Sequence, residues 1–430
     1  MNKKTPNILF VSHTPFSTDT ANGITYENML YSVTPSSLYQ FYSGEETADS
    51  SFCSNYYRVT DIDVLKSFFK FRDKSLSQGR PNNGTSSSHG NVTLIKKIIK
   101  RHNYNFLLRF FRTFIWNLSN FWEKNLISQL EIFKPQLIFY AVGDSVHHDR
   151  LVMRIAKLFD IPIVLYNCEA YRLVNPCERR GIERLFYRYI QNQYALLAQN
   201  SSLIVYNSSG LKNLYEQKYT SQAAAYVAYN TADLGEINEY KNTNSKLRFS
   251  YFGNLGVGRL DSLITLAKAM QNTDTNWTLD VYSNIDTKKQ ELLSRCPNIR
   301  YRGFVTQAEL LKVKEESDVL VHVESFEPKI VKKLYAAFST KVAQCLAAGR
   351  CLISYAPESI FSSGYLKENN AALVASSTSQ LHDILSQIKS NPELLVTYSR
   401  KAAEIAKLNH DKITNSNNLV EAISKLIKTS

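Results

Sequence analysis

From Pro135 onward the sequence alternates short apolar runs with segments of helical period, and no other feature limits the fold as much. Gln136 to Val142, Ile161 to Tyr166, Leu203 to Tyr206 and Ala225 to Tyr229 read as strands. Helical patterns over Val146 to Phe159, Cys177 to Ala198 and Ser208 to Lys218 separate them. Strands that alternate with helices make a parallel sheet covered on both faces, joined by right-handed crossovers. The alternation resumes at Leu247 to Phe252 and continues through Trp277 to Tyr282, Ile299 to Arg302, Val319 to Val323, Cys351 to Tyr355 and Ala371 to Val374. Upstream, Asn7 to Ser12 and Ser37 to Tyr42 are strands, and Ile24 to Ser32 and Asp61 to Phe71 are helices. The expected fold is α/β, with two doubly wound, Rossmann-like parallel-sheet domains.

A chain of 430 residues is too long for one core. Thr231 to Ser245 is polar and without apolar period, so it reads as a linker between domains at 1–232 and 246–404, with a helical stretch over 405–430 closing the chain. Ser75 to Asn91 is rich in Ser, Gly and Asn and reads as a mobile surface loop. No apolar run approaches the roughly 20 residues that cross a bilayer. The first apolar run continues directly into polar sequence, which suits a first strand better than a signal peptide. The six cysteines form no C-x-x-C pair, as expected of reduced thiols in a cytoplasmic protein.

The net charge of +13 suits an anionic partner, although it also fits a plain solubility feature. The most basic and aromatic segment is Leu94 to Trp122, where Lys96, Lys97, Lys100, Arg101, Arg109 and Arg112 interleave with apolar residues at helical spacing. A core helix with a solvated basic face accounts for the period. A helix lying on anionic lipid accounts for the cations and aromatics together. Nucleic-acid binding fits the composition, but no recognition-module signature accompanies it, so no nucleic acid is expected. The reading adopted is a helix part core and part membrane-facing.

Several chemistry-bearing residues fall at strand C-terminal ends, where open α/β sheets bind ligands. Glu324 follows Val319 to Val323, Asp144 follows Gln136 to Val142, and Glu169 follows Ile161 to Tyr166. Ser339, Thr340 and Lys341 open the short helix that ends at Gly349. Hydroxyls, backbone N–H groups and an ammonium at a helix N-terminus suit a diphosphate. Gly253 to Gly258 with Arg259 forms a second anion turn, in which Gly256 lets backbone approach and Arg259 supplies a forked donor. Asn22 and Gly23 read as a loop close to a ligand. There is no G-x-G-x-x-G, which disfavours a dinucleotide. No metal-ligand spacing appears, so neither a metal nor a cofactor is expected.

Gly253-Asn254-Leu255-Gly256 with Arg259, and Ser339-Thr340-Lys341 leading to Leu346-Ala347-Ala348-Gly349, resemble the donor-domain motifs of GT-B glycosyltransferases. The resemblance is to the family-4-like group of bacterial capsule, O-antigen and exopolysaccharide clusters. It covers most of the chain, most strongly from Leu247 to Val374, and matches no motif over 43–122. It implies a GT-B fold in which the first domain takes the acceptor, the second takes the nucleotide-sugar (UDP- or GDP-linked), and 405–430 crosses back to the first. It also implies transfer of a sugar to a lipid-diphosphate-linked saccharide, without a metal, at the inner face of the plasma membrane. Arg259 and Lys341 would then neutralise the leaving diphosphate and Ser339 and Thr340 add donors. Glu324 would hold the sugar or lie beside the reacting carbon, and Asp144 and Glu169 would face the acceptor. Where the family carries a ribose-binding glutamate, this chain has Gln344, which can donate as well as accept. Glu324 lies further upstream than in the family because Glu327 to Ala337 intervenes. Alternatives on the same scaffold are a nucleotide-sugar 2-epimerase and a degenerate subunit that binds a partner enzyme.

Overall fold

The structure is a computed structural model that describes residues 5–18, 20–48, 51–69, 106–119, 122–235, 240 and 246–427. The expected loop over 75–91, residues 94–105 of the basic segment and most of the linker's second half lie outside the described residues. The chain divides into two compact units, Met1–Ala228 with Ser416–Ser430, and Tyr229–Asn415.

The first unit is built on seven parallel strands: β1 (Ile8–Ser12), β2 (Leu38–Tyr42), β3 (Asn55–Arg58), β4 (Leu137–Val142), β5 (Ile163–Asn167), β6 (Leu203–Tyr206) and β7 (Ala224–Val227). Their order is β3-β2-β1-β4-β5-β6-β7. The central strands are buried along their whole length, as expected of a parallel sheet with helices on both faces. Leu419 and Ile423, on the helix Lys412–Ser424, pack into the same core as Ile8, Phe10 and Ala228. The hydroxyl of Ser416 accepts the Ser32 N–H at 2.8 Å.

One local expectation is corrected. Asn22 and Gly23 do not form a loop; they lie in the first turn of the helix Ala21–Met29. The cause is Thr20, whose hydroxyl accepts the Gly23 N–H and caps the helix before the apolar period begins. A side chain on Gly23 would collide with Ser17, so the glycine serves close packing.

The second unit has six parallel strands: β8 (Arg248–Phe252), β9 (Thr278–Tyr282), β10 (Ile299–Gly303), β11 (Val319–Val323), β12 (Cys351–Tyr355) and β13 (Leu373–Ala375), in the order β10-β9-β8-β11-β12-β13. The polar stretch after Glu324 contains a short helix, Pro328–Leu334, whose proline sits in the first turn where no N–H is needed. Within the expected linker, Tyr240 is buried and its hydroxyl donates to Asp318 at 2.9 Å.

The chain enters and leaves this unit at one node. Ala232 and Asp411 form a parallel bridge, with the Ala232 N–H donating to His410 O at 3.0 Å and the Lys412 N–H to Ala232 O at 3.2 Å. The His410 ring donates from Nδ1 to the Asn230 carbonyl at 2.6 Å and meets the Tyr365 hydroxyl through Nε2 at 2.9 Å. It lies at the end of a π-helical turn, Ala406–His410, and is fully buried.

Burial pushes His410 down to about 4. Below about pH 6.5 the unfolded chain takes up a proton that the folded ring refuses, so stability falls as pH drops from about 6.5 to about 4, by about 3 kcal/mol in full. His410→Gln is expected to flatten that part of the pH dependence and to cost about 1–3 kcal/mol at neutral pH. Unfolding midpoints of the two proteins between pH 4 and 8 check this; parallel curves would remove His410 as the source.

Candidate functional site

In both sheets the strand order reverses at one point, between β1 and β4 and between β8 and β11. Helices leave in opposite directions there, which opens a crevice at the strands' C-terminal ends. In the second unit that point lies between the turn after β8 and the end of β11, so residues far apart in sequence meet.

After β8 the backbone is left-handed at Gly253 (φ 116°), Val257 (φ 57°) and Gly258 (φ 73°). Side chains on the two glycines would strike Lys341 and Ser325, so their absence lets both neighbours close in. Asn254 Oδ1 accepts the Gly256 N–H at 2.6 Å and pins the turn. Arg259 is the first residue of the helix Arg259–Thr273. Its Nε and Nη2 donate to the two Glu324 carboxylate oxygens at 2.8 and 3.0 Å. The sequence had suggested separate tasks for these residues; the structure pairs them. Ser262 Oγ donates to the Glu324 carbonyl at 2.7 Å.

Glu324 is only 3% exposed. Burial alone would raise its carboxyl, but His322 and Arg259 override that and hold it at about 2. His322 stands two residues earlier on β11, so strand alternation puts it on the same face. Its Nδ1 meets Ser354 Oγ at 3.0 Å, and His322 and Ser354 are register partners across β11 and β12.

Ser339 caps the helix Thr340–Ala347 by position, though its side chain makes no capping hydrogen bond. Lys341 reaches from the first turn across Gly253 to donate to the Tyr251 hydroxyl at 3.0 Å, with its Nζ 4.9 Å from the Tyr251 ring centroid. Burial and the Arg259 charge push the ammonium down to about 8. Gln344 follows one turn later on the same helix. Thus Arg259, Glu324, Lys341 and the Ser339–Thr340 helix start are brought together, with Gly256 in the facing turn.

In the first unit, Asp144 follows β4 and lies 4.0 Å from Arg112 Nη1. Arg112 is itself paired to Asp61 at 2.9 Å. Burial would raise Asp144, yet Arg112, Arg109 and His13 outweigh it and leave the carboxyl below its ordinary value. Glu169 follows β5 and reaches solvent, while the burial it does have raises its carboxyl against a bond from Tyr171. Sequence reasoning missed His13, at the end of β1, whose Nδ1 meets Ser43 Oγ at 3.0 Å and whose ring burial holds below its ordinary value. It also missed His322, although the spacing His322-x-Glu324 across the end of one strand was a usable signal.

An anion held by Lys341 should bind more tightly at pH 7 than at pH 9, because the free ammonium loses its proton near 8. Calorimetry with pyrophosphate is expected to show that fall and an uptake of protons, and Lys341→Met should abolish both. An unchanged pH dependence in Lys341→Met would show that the anion does not meet this group.

Residues 244–421 match the profile of a family described as Glycosyl transferase-like. Among curated proteins none matches the chain by sequence. Among solved structures, HepE of Anabaena, in complex with UDP and glucose, is similar with a TM-score of 0.58 at 13% identity, over 98% of this chain and 100% of that one. A glycosyltransferase from Rickettsia africae has a TM-score of 0.63 at 11% identity over the whole of both chains. Sucrose-phosphate synthase from Thermosynechococcus elongatus has 0.60 at 11% identity, over 98% and 99%. The fold is that of the GT-B glycosyltransferases, with two parallel-sheet α/β domains.

Proposed function

We propose that the chain is a glycosyltransferase that moves a sugar from a UDP- or GDP-linked donor to a saccharide acceptor carried on a lipid diphosphate, at the cytoplasmic face of a membrane where surface polysaccharide is made. The observation that carries this reading is the group of Arg259, Glu324 and Lys341 at the β8/β11 switch point, inside the region that matches the Glycosyl transferase-like profile. Two cations and a helix N-terminus suit a diphosphate, and a buried carboxylate suits sugar hydroxyls. HepE was solved with UDP and glucose, and the similarity of fold makes the same class of donor the first choice here.

In this reading Arg259 and Lys341 stabilise the charge that develops on the leaving diphosphate, and Ser339 and Thr340 add hydroxyl and backbone donors. Gln344 offers its amide to the ribose and Glu324 holds the donor sugar. The charge on the diphosphate is met by protein cations, with no metal assigned. On the acceptor side the two acids differ in basicity. Arg112 and its neighbours make Asp144 a weak base, while Glu169 is raised and open to solvent. Glu169 is therefore assigned the acceptor hydroxyl's proton and Asp144 a binding role.

The membrane assignment rests on two helices of the first unit. The helix Phe106–Leu118 exposes Leu107, Phe111, Phe114 and Leu118, and the helix Gly181–Gln199 exposes Ile182 and Leu185. A basic core helix would have presented cations to water; this one presents aromatics. Between the two helices is an apolar groove of about 430 Å³ that Phe110, Phe114, Ile182 and Leu185 line. Arg150, Arg180 and Arg184 are exposed in the same elements or beside them. Aromatics with cations suit an interface of anionic lipid. Among the described residues no helix is long and apolar enough to cross a membrane.

Thermal shifts across UDP- and GDP-sugars should single out a donor, because a ligand bound only by the folded state raises its apparent stability. Arg259→Ala should then abolish transfer with the fold intact, and Glu169→Gln should lower kcat about 100-fold or more, with Asp144→Asn milder. Normal turnover in Arg259→Ala would place the donor elsewhere. For the membrane face, Phe111→Asp with Phe114→Asp should release the protein from phosphatidylglycerol vesicles while donor binding stays unchanged. Retention of the double variant on the vesicles would refute that face.

A further inference from the structure

His322 has one nitrogen to spare, and it is aimed at the centre of the donor site. The ring is 1% exposed, Nδ1 is engaged by Ser354 Oγ at 3.0 Å, and Nε2 has no hydrogen-bond partner. That Nε2 lies 3.5 Å from Glu324 Oε1, at the long limit of a hydrogen bond, near enough to lower the carboxyl but not yet a well-formed bond. A carboxylate only accepts, so the nitrogen facing it must carry a proton. The Ser354 hydroxyl can donate to Nδ1 or accept from it, so Nε2 keeps its proton in either charge state of the ring.

Arg259 meanwhile has both Nε and Nη2 committed to Glu324. A guanidinium held in that way has little left to offer a diphosphate, and freeing it leaves a carboxylate that is 3% exposed without its main partner. Other charges near Glu324 do not replace it. Lys341 is turned to Tyr251, and no other cation among the described residues is bonded to the carboxylate.

We propose that His322 is a positioning residue of the donor site, taking over the Glu324 carboxylate from β11 as Arg259 turns to the donor diphosphate. The inference rests on the glycosyl-transfer reading. Closing a 3.5 Å gap to a charge-assisted hydrogen bond needs only a small side-chain shift, because Ser354 already fixes the ring from the neighbouring strand. The donor thus exchanges one partner of Glu324 for another without leaving a bare buried charge.

Two polar variants separate this role from a structural one. In His322→Asn the amide overlays Nδ1, keeps Ser354 within reach and stops short of Glu324. In His322→Gln the amide overlays Nε2 and reaches Glu324. UDP and GDP titrated calorimetrically should bind His322→Asn about tenfold or more weakly than the wild type, with His322→Gln restored to within a few-fold. Glu324→Gln should erase the difference between the two variants. Wild-type affinity in His322→Asn, or equal losses in both variants, overturns the positioning role while leaving transfer intact. A wild-type protein that binds neither nucleotide and transfers no sugar from any donor in the panel overturns the transfer reading, and the positioning role with it.

Discussion

A carboxylate cut off from water persists as a charge only where other groups hold it, and Glu324 is such a carboxylate. The groups that surround it come from three elements. Arg259 comes from the helix after β8, His322 from β11 itself, and Ser354 stands behind His322 on β12. Each belongs to an element fixed by the parallel sheet, so the sheet's register determines the geometry of the site. The pairing His322 with Ser354 is a register pair of β11 and β12, and a one-residue slip of either strand would turn its member of the pair to the wrong face. Glycines complete the arrangement, since Gly253 and Gly258 make room for Lys341 and Ser325 beside the pair.

The strands were legible because a parallel strand buried on both faces is a continuous apolar run, as in Leu137–Val142 and Val319–Val323. β3 escaped notice because Asn55-Tyr56-Tyr57-Arg58 is short, polar at both ends and at the edge of its sheet. The helix Pro328–Leu334 escaped because its lysines hid the period and its proline reads as a breaker unless it falls in a first turn. Asn22-Gly23 resembled a turn, and only the Thr20 cap shows that the helix had already begun. Among candidate site residues, Glu324 after its strand and Arg259 and Lys341 at the starts of helices were readable. That Arg259 grips Glu324 was not, because the pair is 65 residues apart and only the strand order joins them.

The first unit shows the same limit in another form. A helical period in Phe106–Leu118 is compatible with either a buried or an exposed apolar face, since period reports which residues share a side and not what covers it. The structure leaves Phe111 and Phe114 open while Trp116 is buried and donates to Asp61 at 2.7 Å. Cations that looked like a solvated stripe are partly engaged: Arg112 bonds Asp61 and approaches Asp144. The positive balance of this segment is therefore spent in part on the acids at the strand ends, which lowers Asp144 and distinguishes it from Glu169.

Gln344 acquires a physical meaning from Lys341. The two are three residues apart on one helix, close enough for their side chains to interact. A glutamate at 344 would place a second negative charge beside the ammonium and raise it toward its ordinary range. With a neutral amide there, burial and Arg259 outweigh the nearby Glu324 and Cys345 and leave Lys341 at about 8. On the glycosyl-transfer reading proposed above, an incoming diphosphate supplies that negative charge and raises the lysine toward its ordinary range. On that reading, the charges around Lys341 are completed by the ligand rather than by a built-in carboxylate at 344. Such a site responds more strongly to pH and to the charge of the ligand than one with a second built-in carboxylate.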